Sequence, residues 1–291
     1  MYKIINLLIP HRVLTLLAGK IAFSKINWLK NSLIKLFIRA YKPRMEEAIY
    51  KNPEEYESFN DFFTRELIQR RFISKNKLEI LSPVDGKISD YGLIDKKILI
   101  QAKNFNYSTS DLLQDKNIVE ELNLKAFITL YLDPSDYHRI HAPASGKVLR
   151  TRYIPGELNS VNETSQKNIP YLYVKNERAW MEVKTDYFSY ILVFVGASIV
   201  SGIIPFWHQK DNYQYNHILK SWELGPNNNQ NIIDQTQYLG HFSFGSTVIM
   251  LISENIDLKR LERDRYKKKQ RFGDVLIRFG SSLAAIKEKG E

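Results

Sequence analysis

The sequence predicts an α+β protein whose β-rich core, of hairpin and barrel-sandwich type, follows an amphipathic helical segment. Apolar residues recur at helical spacing near the N-terminus, whereas short β-branched runs bounded by Gly, Pro and Asn dominate the rest. Two similar turns of the form Pro-x-x-Gly-Lys, at Pro83 and Pro143, indicate a weak internal repeat of two related hairpins. We therefore expect a helical segment in residues 1–66 and a β-rich domain in residues 67–291.

The composition limits the classes of protein and partner. With 291 residues, 44% hydrophobic and 25% charged, the chain can bury a sizeable core. It contains no cysteine, which excludes disulfides, thiolate metal sites and cysteine nucleophiles and is compatible with a reducing compartment. The net charge of +10 predicts an anionic partner, either a nucleic acid or an anionic membrane. The longest apolar run, residues 191–200, is shorter than the roughly 18 to 20 residues of a membrane span and predicts a buried strand.

Much of the positive charge lies in the first 44 residues, which contain no acidic residue. Such a segment can lie in a membrane surface, with its apolar side down and its cations toward lipid phosphates. It can equally pack on the protein's own core and leave a solvated basic face. Nucleic acid is less favoured, because no recognised binding motif accompanies the charge. The apolar residues at helical spacing are Leu29, Leu33, Leu36, Phe37, Ala40 and Tyr41; the basic residues are Lys3, Arg12, Lys20, Lys25, Lys30, Lys35, Arg39, Lys42 and Arg44.

Local patterns predict the elements that follow. Residues 52–56 and 58–67 are expected to form short helices, the second capped by Ser58 or Asn60. Three phenylalanines of the second helix are most simply core residues. Further on, we expect strands at 98–102 and 127–132, one helix at 110–122, a last strand within 272–280 and a frayed C-terminus.

The segment Gly245-Ser246-Thr247 lies between Phe244 and an apolar run, residues 248–252, that predicts a buried strand. A Gly-Ser pair at the start of such a strand is commonly a tight turn, in which the serine bonds its own backbone. Alternatively, the Ser246 hydroxyl attacks a carbonyl group. That chemistry needs a base and a third group that orients the base.

Asp85 and two histidines are the residues that could supply those groups. Asp85 precedes Gly86 in the first turn and, taken alone, favours simple turn chemistry. His138 and His141 are three residues apart, so in a strand or turn they can face different sides and have separate roles. A metal site at these histidines lacks a nearby third ligand, and we predict none. Two histidines beside Arg139 favour a functional site.

Four motifs in this order resemble the bacterial phosphatidylserine decarboxylases, which are pyruvoyl-dependent lyases of the prokaryotic type I. They are Ser82-Pro-Val-Asp-Gly, Tyr137-His-Arg-Ile-His-Ala-Pro, Val195-Gly-Ala and Phe244-Gly-Ser-Thr-Val-Ile. The similarity runs from about residue 9 to about residue 252, and the ordered set is highly specific. It also includes Phe59-Asn-Asp-Phe-Phe-Thr-Arg, Gln101-Ala-Lys-Asn-Phe-Asn-Tyr-Ser and Val161-Asn. The chain departs from the family at two places before the serine. It has Gln235-Thr-Gln-Tyr238 where the family often has a Lys-Gly-Glu-type segment, and Gly240-His-Phe where the family often has Gly-Arg-Phe.

The resemblance implies that the protein cuts itself. The Ser246 hydroxyl attacks the carbonyl of Gly245, with His141 as the base and Asp85 orienting the base. The products are a β chain of residues 1–245 and an α chain of residues 246–291. Residue 246 becomes a covalent pyruvoyl group, the cofactor of the enzyme.

The resemblance also implies the second reaction and its partners. The pyruvoyl group forms a Schiff base with phosphatidylserine, and loss of carbon dioxide gives phosphatidylethanolamine. His138 is expected to bind the substrate carboxylate or to donate the returning proton. A lipid substrate favours the membrane interpretation of residues 1–66, so we expect a peripheral enzyme on the cytoplasmic face of the cell membrane. A homodimer is expected, and no nucleic acid.

Two other classes remain as alternatives. The Pro-x-x-Gly-Lys turns also resemble half-motifs of lipoyl and biotinyl carrier domains, which predicts a non-catalytic binding module. Against it, no lysine stands at an obvious hairpin tip, and a carrier needs no Gly-Ser-Thr at the start of a strand. The second alternative is a serine hydrolase acting in trans, which would use Ser246 and leave the chain intact.

Overall fold

The computed structural model describes residues 18–68, 76, 78–94, 98–102, 105–197, 203–205, 220–223, 231–242, 246–257 and 275–286. The α+β class and the β-rich core are confirmed. The α-helices described from end to end are α1 (Asn27–Tyr41), α2 (Phe59–Phe63), α3 (Thr109–Leu113), α4 (Lys116–Leu122), α5 (Glu163–Asn168) and α6 (Leu172–Lys175). Two 3₁₀-helices span Met45–Glu47 and Pro53–Glu55, and the second lies within the helix predicted at 52–56. The strands are β1 (Glu79–Leu81), β2 (Gly86–Leu93), β3 (Ile98–Ala102), β4 (Phe105–Ser108), β5 (Ala126–Leu132), β6 (Arg139–His141), β7 (Gly146–Ile154), β8 (Arg178–Lys184), β9 (Ser189–Val195), β10 (Ile203–Pro205), β11 (Lys220–Glu223), β12 (Ile232–Ile233), β13 (Tyr238–Phe242), β14 (Ser246–Ile252), β15 (Leu276–Ile277) and β16 (Ser282–Ala285).

Strand β14 lies inside a nine-stranded antiparallel sheet of order β11-β7-β8-β9-β14-β5-β2-β15, with β12 added beside β7. All seven of its residues are buried. Val248 and Met250 enter the core on one face of the sheet, while Ile249 and Leu251 enter the core on the other. Successive side chains of a strand alternate between faces, so the continuous apolar run of residues 248–252 is what a strand buried on both faces requires. The predicted buried strand is confirmed.

The two Pro-x-x-Gly-Lys turns lie side by side. The Leu81 N–H donates to the Pro143 carbonyl at 3.0 Å, and the His141 N–H donates to the Pro83 carbonyl at 2.9 Å. Each turn leads into a long strand of the large sheet, β2 or β7. The strands before the turns, however, pair elsewhere, β1 with β16 and β6 with β13. The predicted hairpins are therefore wrong: each turn is a corner that carries the chain from a small sheet into the large one.

The N-terminal segment packs on its own small core. Phe37 of α1 contacts three phenylalanines on or beside α2, with ring centroids 5.5 to 5.8 Å apart. The prediction that these phenylalanines are core residues is confirmed. The same helix exposes Trp28 and Leu36, by 72% and 65%, so Leu36 does not belong to the packed face as its spacing suggested. Among the described residues, no helix is long and apolar enough to cross a membrane. Residues 1–17 lie outside the described ranges.

Two predicted helices are shorter than expected. The helix predicted at 110–122 is divided into α3 and α4, because Gln114 adopts a left-handed conformation with φ 47°. Asp115 then begins the second helix by accepting the Ile118 N–H at 3.2 Å. The helix predicted at 58–67 ends at Phe63; Ser58 caps it by accepting the Asp61 N–H at 3.1 Å, as predicted. At Gln114 a left-handed residue ends a helix that apolar spacing alone would continue, and the Asp115 cap begins a new one.

The C-terminal prediction is confirmed in part, because β15 (Leu276–Ile277) lies within the strand predicted at 272–280, but it is not the last strand. Residues 282–285, expected to be frayed, form β16, which pairs with β1. Leu283 and Ala284 are fully buried in the main core. A four-residue strand whose partner lies about 200 residues away leaves no local signal, which is why the sequence did not indicate it.

Candidate active site

Ser246 is the first residue of β14 and lies opposite Leu132, the last residue of β5. Its side chain is fully buried, and its hydroxyl has no hydrogen-bond partner among the described residues. On the other side of residues 243–245, the Phe242 N–H donates to the His138 carbonyl at 3.1 Å. Gly245 lies outside the described residues. The two flanks of the predicted cleavage site therefore lie at the two ends of the turn of residues 133–138, which joins β5 to β6: Ser246 pairs with Leu132 just before the turn, and Phe242 binds His138, its last residue.

Asp85 is 1% exposed, and both of its carboxylate oxygens accept hydrogen bonds. Oδ1 accepts the main-chain N–H of Phe279 at 2.8 Å, and Oδ2 accepts Nη2 of Arg44 at 2.9 Å. The next residue, Gly86, has φ 156°, and a Cβ atom there would collide with the Tyr131 carbonyl oxygen. The chain can therefore pass this close to β5 only as glycine. Because partners from both ends of the sequence hold Asp85, simple turn chemistry does not account for it.

His141 is held with a defined tautomer. Its Nδ1 lies 2.8 Å from the carbonyl oxygen of Thr236, which can only accept, so Nδ1 carries the proton. Nε2 is then the unprotonated nitrogen and accepts the hydroxyl of Tyr137 at 2.9 Å. The imidazole stacks on the Phe279 ring, with centroids 3.8 Å apart and planes inclined by 20°. A general base needs this arrangement, in which one nitrogen is anchored and the other is available to take a proton.

Phe279 brings two of the predicted residues together. Its ring covers His141, and its main-chain N–H binds Asp85. A tight turn places it there: Gly280, with φ 80°, donates its N–H to the Ser82 carbonyl at 3.0 Å. The Ser246 hydroxyl, by contrast, is not bonded to His141, whose Nε2 holds Tyr137 instead. The chain of hydrogen bonds from Asp85 through His141 to Ser246 remains a prediction.

His138 is fully buried and stacks on Phe63, with ring centroids 4.1 Å apart. Its Nε2–H donates to the Asp133 carbonyl at 3.1 Å, so Nδ1 is an acceptor, and Nδ1 has no partner among the described residues. Burial, followed by the charge of Arg65, lowers the pKa of His138 to about 3. The ring is therefore neutral at physiological pH and does not attract a carboxylate by charge.

Asp136, in the same turn, is 7% exposed. Its Oδ2 accepts the Asp133 N–H at 2.8 Å, and its Oδ1 lies 4.0 Å from Nη2 of Arg44. Burial raises the pKa of this carboxyl to about 6. The site thus contains an acid that changes charge just below neutral pH.

Sequence reasoning gave no role to four residues that contact the predicted site. Tyr137 stands inside the histidine motif, which is a signal for it. Thr236 has φ 67°, a strained conformation for a β-branched residue, and stands where the resembling family often has glycine. Arg44 and Phe279 lie about 41 and 194 residues from Asp85, the residue they bind, and nothing in their local sequence indicates that contact.

Comparisons with known proteins match the chain over most of its length. A family model described as phosphatidylserine decarboxylase matches residues 59–285, and another, described as PSD, matches residues 4–42. The chain is 41% identical over 249 residues to the phosphatidylserine decarboxylase proenzyme of Dechloromonas aromatica, covering 85% of this chain and 87% of that protein. It is 39% identical over 254 residues to the proenzyme of the same name from Methylobacillus flagellatus, covering 87% and 89%. A third, from Francisella tularensis subsp. novicida, is 36% identical over 282 residues, covering 97% and 96%.

Proposed function

The chain belongs to the phosphatidylserine decarboxylase family, and we propose that Ser246, His141 and Asp85 convert it from a proenzyme into the active lyase. Its relatives are named phosphatidylserine decarboxylase proenzymes, and the chain is accordingly a carboxy-lyase that acts on phosphatidylserine. The reaction releases carbon dioxide and gives phosphatidylethanolamine.

The conversion is a cleavage of the chain by its own residues. The Ser246 hydroxyl adds to the Gly245 carbonyl, and Nε2 of His141 takes the hydroxyl proton. The peptide bond is thereby exchanged for an ester, and the amine of residue 246 becomes free. Loss of the α-proton of residue 246 then expels the Gly245 carboxylate and leaves a dehydroalanine. Addition of water and loss of ammonia convert that residue into a pyruvoyl group.

One observation carries this proposal: the Ser246 hydroxyl is completely buried without a hydrogen-bond partner among the described residues. Leaving a buried hydroxyl unpaired costs about 1 to 3 kcal/mol, so a structural serine is normally paired. A hydroxyl that is not held by another group can turn to attack the carbonyl of the preceding residue. Attack by Ser246 is also the step that makes residue 246 the source of the pyruvoyl group. Once formed, the pyruvoyl group supplies an electron-withdrawing carbonyl that stabilises the charge left when the carboxylate departs.

The two histidines then have different tasks. For His141 to act, its Nε2 must exchange the Tyr137 hydroxyl for that of Ser246, while Thr236 continues to anchor Nδ1. We assign to His138 the return of a proton to the substrate α-carbon after carbon dioxide leaves. Because His138 is neutral with an acceptor at Nδ1, it must first take up a proton, for which the substrate amine is the source.

The exposed apolar side chains near the N-terminus support binding to an anionic membrane. They alternate with the basic residues of the segment, so apolar groups can enter the interface while cations meet lipid phosphates. We propose a peripheral position on the cytoplasmic face of the cell membrane. The exposed apolar residues are Ile21, Phe23, Ile26, Trp28, Leu36 and Tyr41.

The two products of cleavage stay together in this proposal, because residues 246–291 contribute β14, β15 and β16 to sheets formed with the upstream chain. The homodimer implied by family resemblance remains a prediction. Light scattering of the purified protein measures it directly, and the mass of one β chain plus one α chain would exclude it.

The test of self-cleavage is a comparison of Ser246→Ala with Ser253→Ala, the same change at the residue that directly follows β14. A denaturing gel and intact masses should show 1–245 and 246–291 for the wild type and the control, with the smaller chain blocked to N-terminal sequencing. Ser246→Ala should stay a single chain and release no carbon dioxide from phosphatidylserine vesicles. A cut and active alanine variant would overturn the proposal.

A further inference from the structure

Arg65, two residues after α2, is a buried arginine whose hydrogen bonding is incomplete. It is 3% exposed, and Nη2 donates to the carbonyls of Ser135 and Asp136 at 3.1 and 3.2 Å. Nε and Nη1 are buried and have no partner among the described residues. These two nitrogens carry three N–H bonds, and buried N–H donors are nearly always paired in folded proteins.

Another buried arginine of the same chain shows what a structural guanidinium looks like here. Arg178 is 1% exposed, and every one of its side-chain nitrogens donates to a main-chain carbonyl at 2.6 to 3.0 Å. Arg152 has one unpaired nitrogen, but Asp115 compensates its charge at 2.8 Å. Arg65 has neither a full set of carbonyls nor, among the described residues, a carboxylate within 4.0 Å. Asp85 and Asp136 act on its charge from a distance and form ion pairs with Arg44, at 2.9 and 4.0 Å.

Arg65 lies at the turn that carries the active-site groups. Its two carbonyl partners belong to residues 133–138, where Nδ1 of His138, an acceptor, also has no partner in the described part of the chain. The unpaired Ser246 hydroxyl lies opposite Leu132, where this turn begins. Three buried groups that lack partners among the described residues therefore lie around this one turn: the guanidinium of Arg65, Nδ1 of His138 and the hydroxyl of Ser246. Such a set is typical of a site built for a polar ligand.

We propose that Arg65 binds the anionic group of the substrate, through the oxygen atoms that a carboxylate and a phosphate have in common. The inference rests on the proposed function, because it assumes that a phosphatidylserine head group reaches residue 246. An anion there satisfies the three unpaired N–H bonds and compensates the buried charge, which neutral His138 does not do.

The experiment compares Arg65→Gln and Arg65→Lys with the wild type as full-length proteins. Self-cleavage is scored first on a denaturing gel, and kcat and KM are then measured on phosphatidylserine in mixed micelles. We expect both variants to be cut, and kcat/KM of the Gln variant to fall at least about tenfold. Arg65→Lys keeps the charge but loses the planar donors, so its kcat/KM should lie between those of the wild type and of Arg65→Gln. A cut Gln variant with wild-type kcat/KM would overturn the inference.

Inhibition by phosphatidylethanolamine distinguishes the two anions, because this product keeps the phosphate and lacks the carboxylate. If Arg65 binds the phosphate, the inhibition constant of phosphatidylethanolamine is higher for Arg65→Gln than for the wild type, by about the factor by which kcat/KM falls. If it holds the carboxylate, the inhibition constant stays at the wild-type value. Either result supports an anion site at Arg65.

A second measurement covers the case in which the variants are not cut. In the uncut Ser246→Ala background, Arg65→Met removes a buried charge that lacks partners and should keep or raise the melting temperature. The matched change Arg178→Met removes a fully bonded guanidinium and should lower it strongly. Equal loss in both would make Arg65 a structural residue and overturn the inference. If the wild type itself neither cuts nor releases carbon dioxide, the proposed function fails first, which keeps the two failures distinguishable.

Discussion

The Phe279 ring lies flat on the imidazole of His141, with centroids 3.8 Å apart, although the two residues belong to opposite sides of the predicted cleavage site. The downstream segment therefore does more than supply the serine, because it also fixes the orientation of the predicted base. This contact can be separated from the Asp85 contact, which uses only the main chain of Phe279.

Replacing Phe279 by Leu should slow self-cleavage by up to about tenfold, because a stacked ring pair contributes about 0.5 to 1.5 kcal/mol to holding the imidazole. The rate is measured by following conversion of newly translated precursor on a denaturing gel. Phe188→Leu is the matched control, since Phe188 is equally buried in the main core and away from His141. Equal slowing in both variants would assign the effect to general loss of packing.

Arg44 holds Oδ2 of Asp85 at 2.9 Å. Arg44→Ala should lower the free energy of unfolding by roughly 1 to 3 kcal/mol, the value of a hydrogen bond to a charged group, and should slow self-cleavage by freeing the carboxylate. Arg39→Ala, which removes an exposed cation from the same segment, should change neither. Urea unfolding in the Ser246→Ala background gives the stability, and a gel of the cleavable protein gives the rate. Normal cleavage of Arg44→Ala would mean that the bond to Arg44 is not needed to position Asp85.

Asp136 makes the stability of the precursor depend on pH. Its pKa is raised by burial to about 6, above the roughly 3.9 of an unfolded aspartate, so the folded chain binds this proton more tightly. The contribution of Asp136 to the free energy of unfolding is fully present below about pH 4, and it is lost as the pH rises through about 6. Asp136→Asn keeps an acceptor for the Asp133 N–H without a charge. It should therefore be more stable than its parent at pH 7, by roughly 1 to 3 kcal/mol, and equally stable near pH 4.

Urea unfolding at several pH values, again with Ser246→Ala as the parent, checks this dependence. A stabilisation that is the same at pH 4 and pH 7 would show that the charge of Asp136 is not the cause.

Among the described residues of the N-terminal segment, Trp28 and Leu36 are the most exposed large apolar side chains. The double change Trp28→Ala, Leu36→Ala should weaken binding to anionic vesicles about tenfold or more, because each side chain buries apolar area in the interface. Tyr187→Ala and Leu276→Ala together remove comparable exposed groups from the β-rich domain and serve as the control. Vesicle sedimentation at two salt concentrations is the measurement. Unchanged binding would return the segment to a purely structural role.

The sequence predicted best where one physical constraint acts locally. The uninterrupted apolar run at 248–252 predicted a buried strand, and Ser58 was one of two predicted helix caps. It predicted less where a single residue overrides the pattern, as Gln114 does by dividing a helix.

Contacts made by residues distant in the chain were not predictable. Asp85, His141 and Ser246 were chosen from their motifs, but their present hydrogen bonds run to Arg44, Phe279, Tyr137 and Thr236, or to none of the described residues. Whether a buried arginine is fully bonded likewise depends on which carbonyls the fold brings near. That distinction between Arg65 and Arg178 exists only in three dimensions.

The position of β14 between β5 and β9 determines how a cut protein would behave when it is denatured. A precursor refolds in a first-order process, because all strands belong to one molecule. Two separate chains must first meet, and the upstream one lacks the middle strand of its sheet until they do. Refolding of cut protein should therefore be second order and slow on dilution, with aggregation of exposed strand edges as the competing outcome. Self-cleavage would thus turn a reversibly folding chain into one whose native state persists only as long as it never fully unfolds.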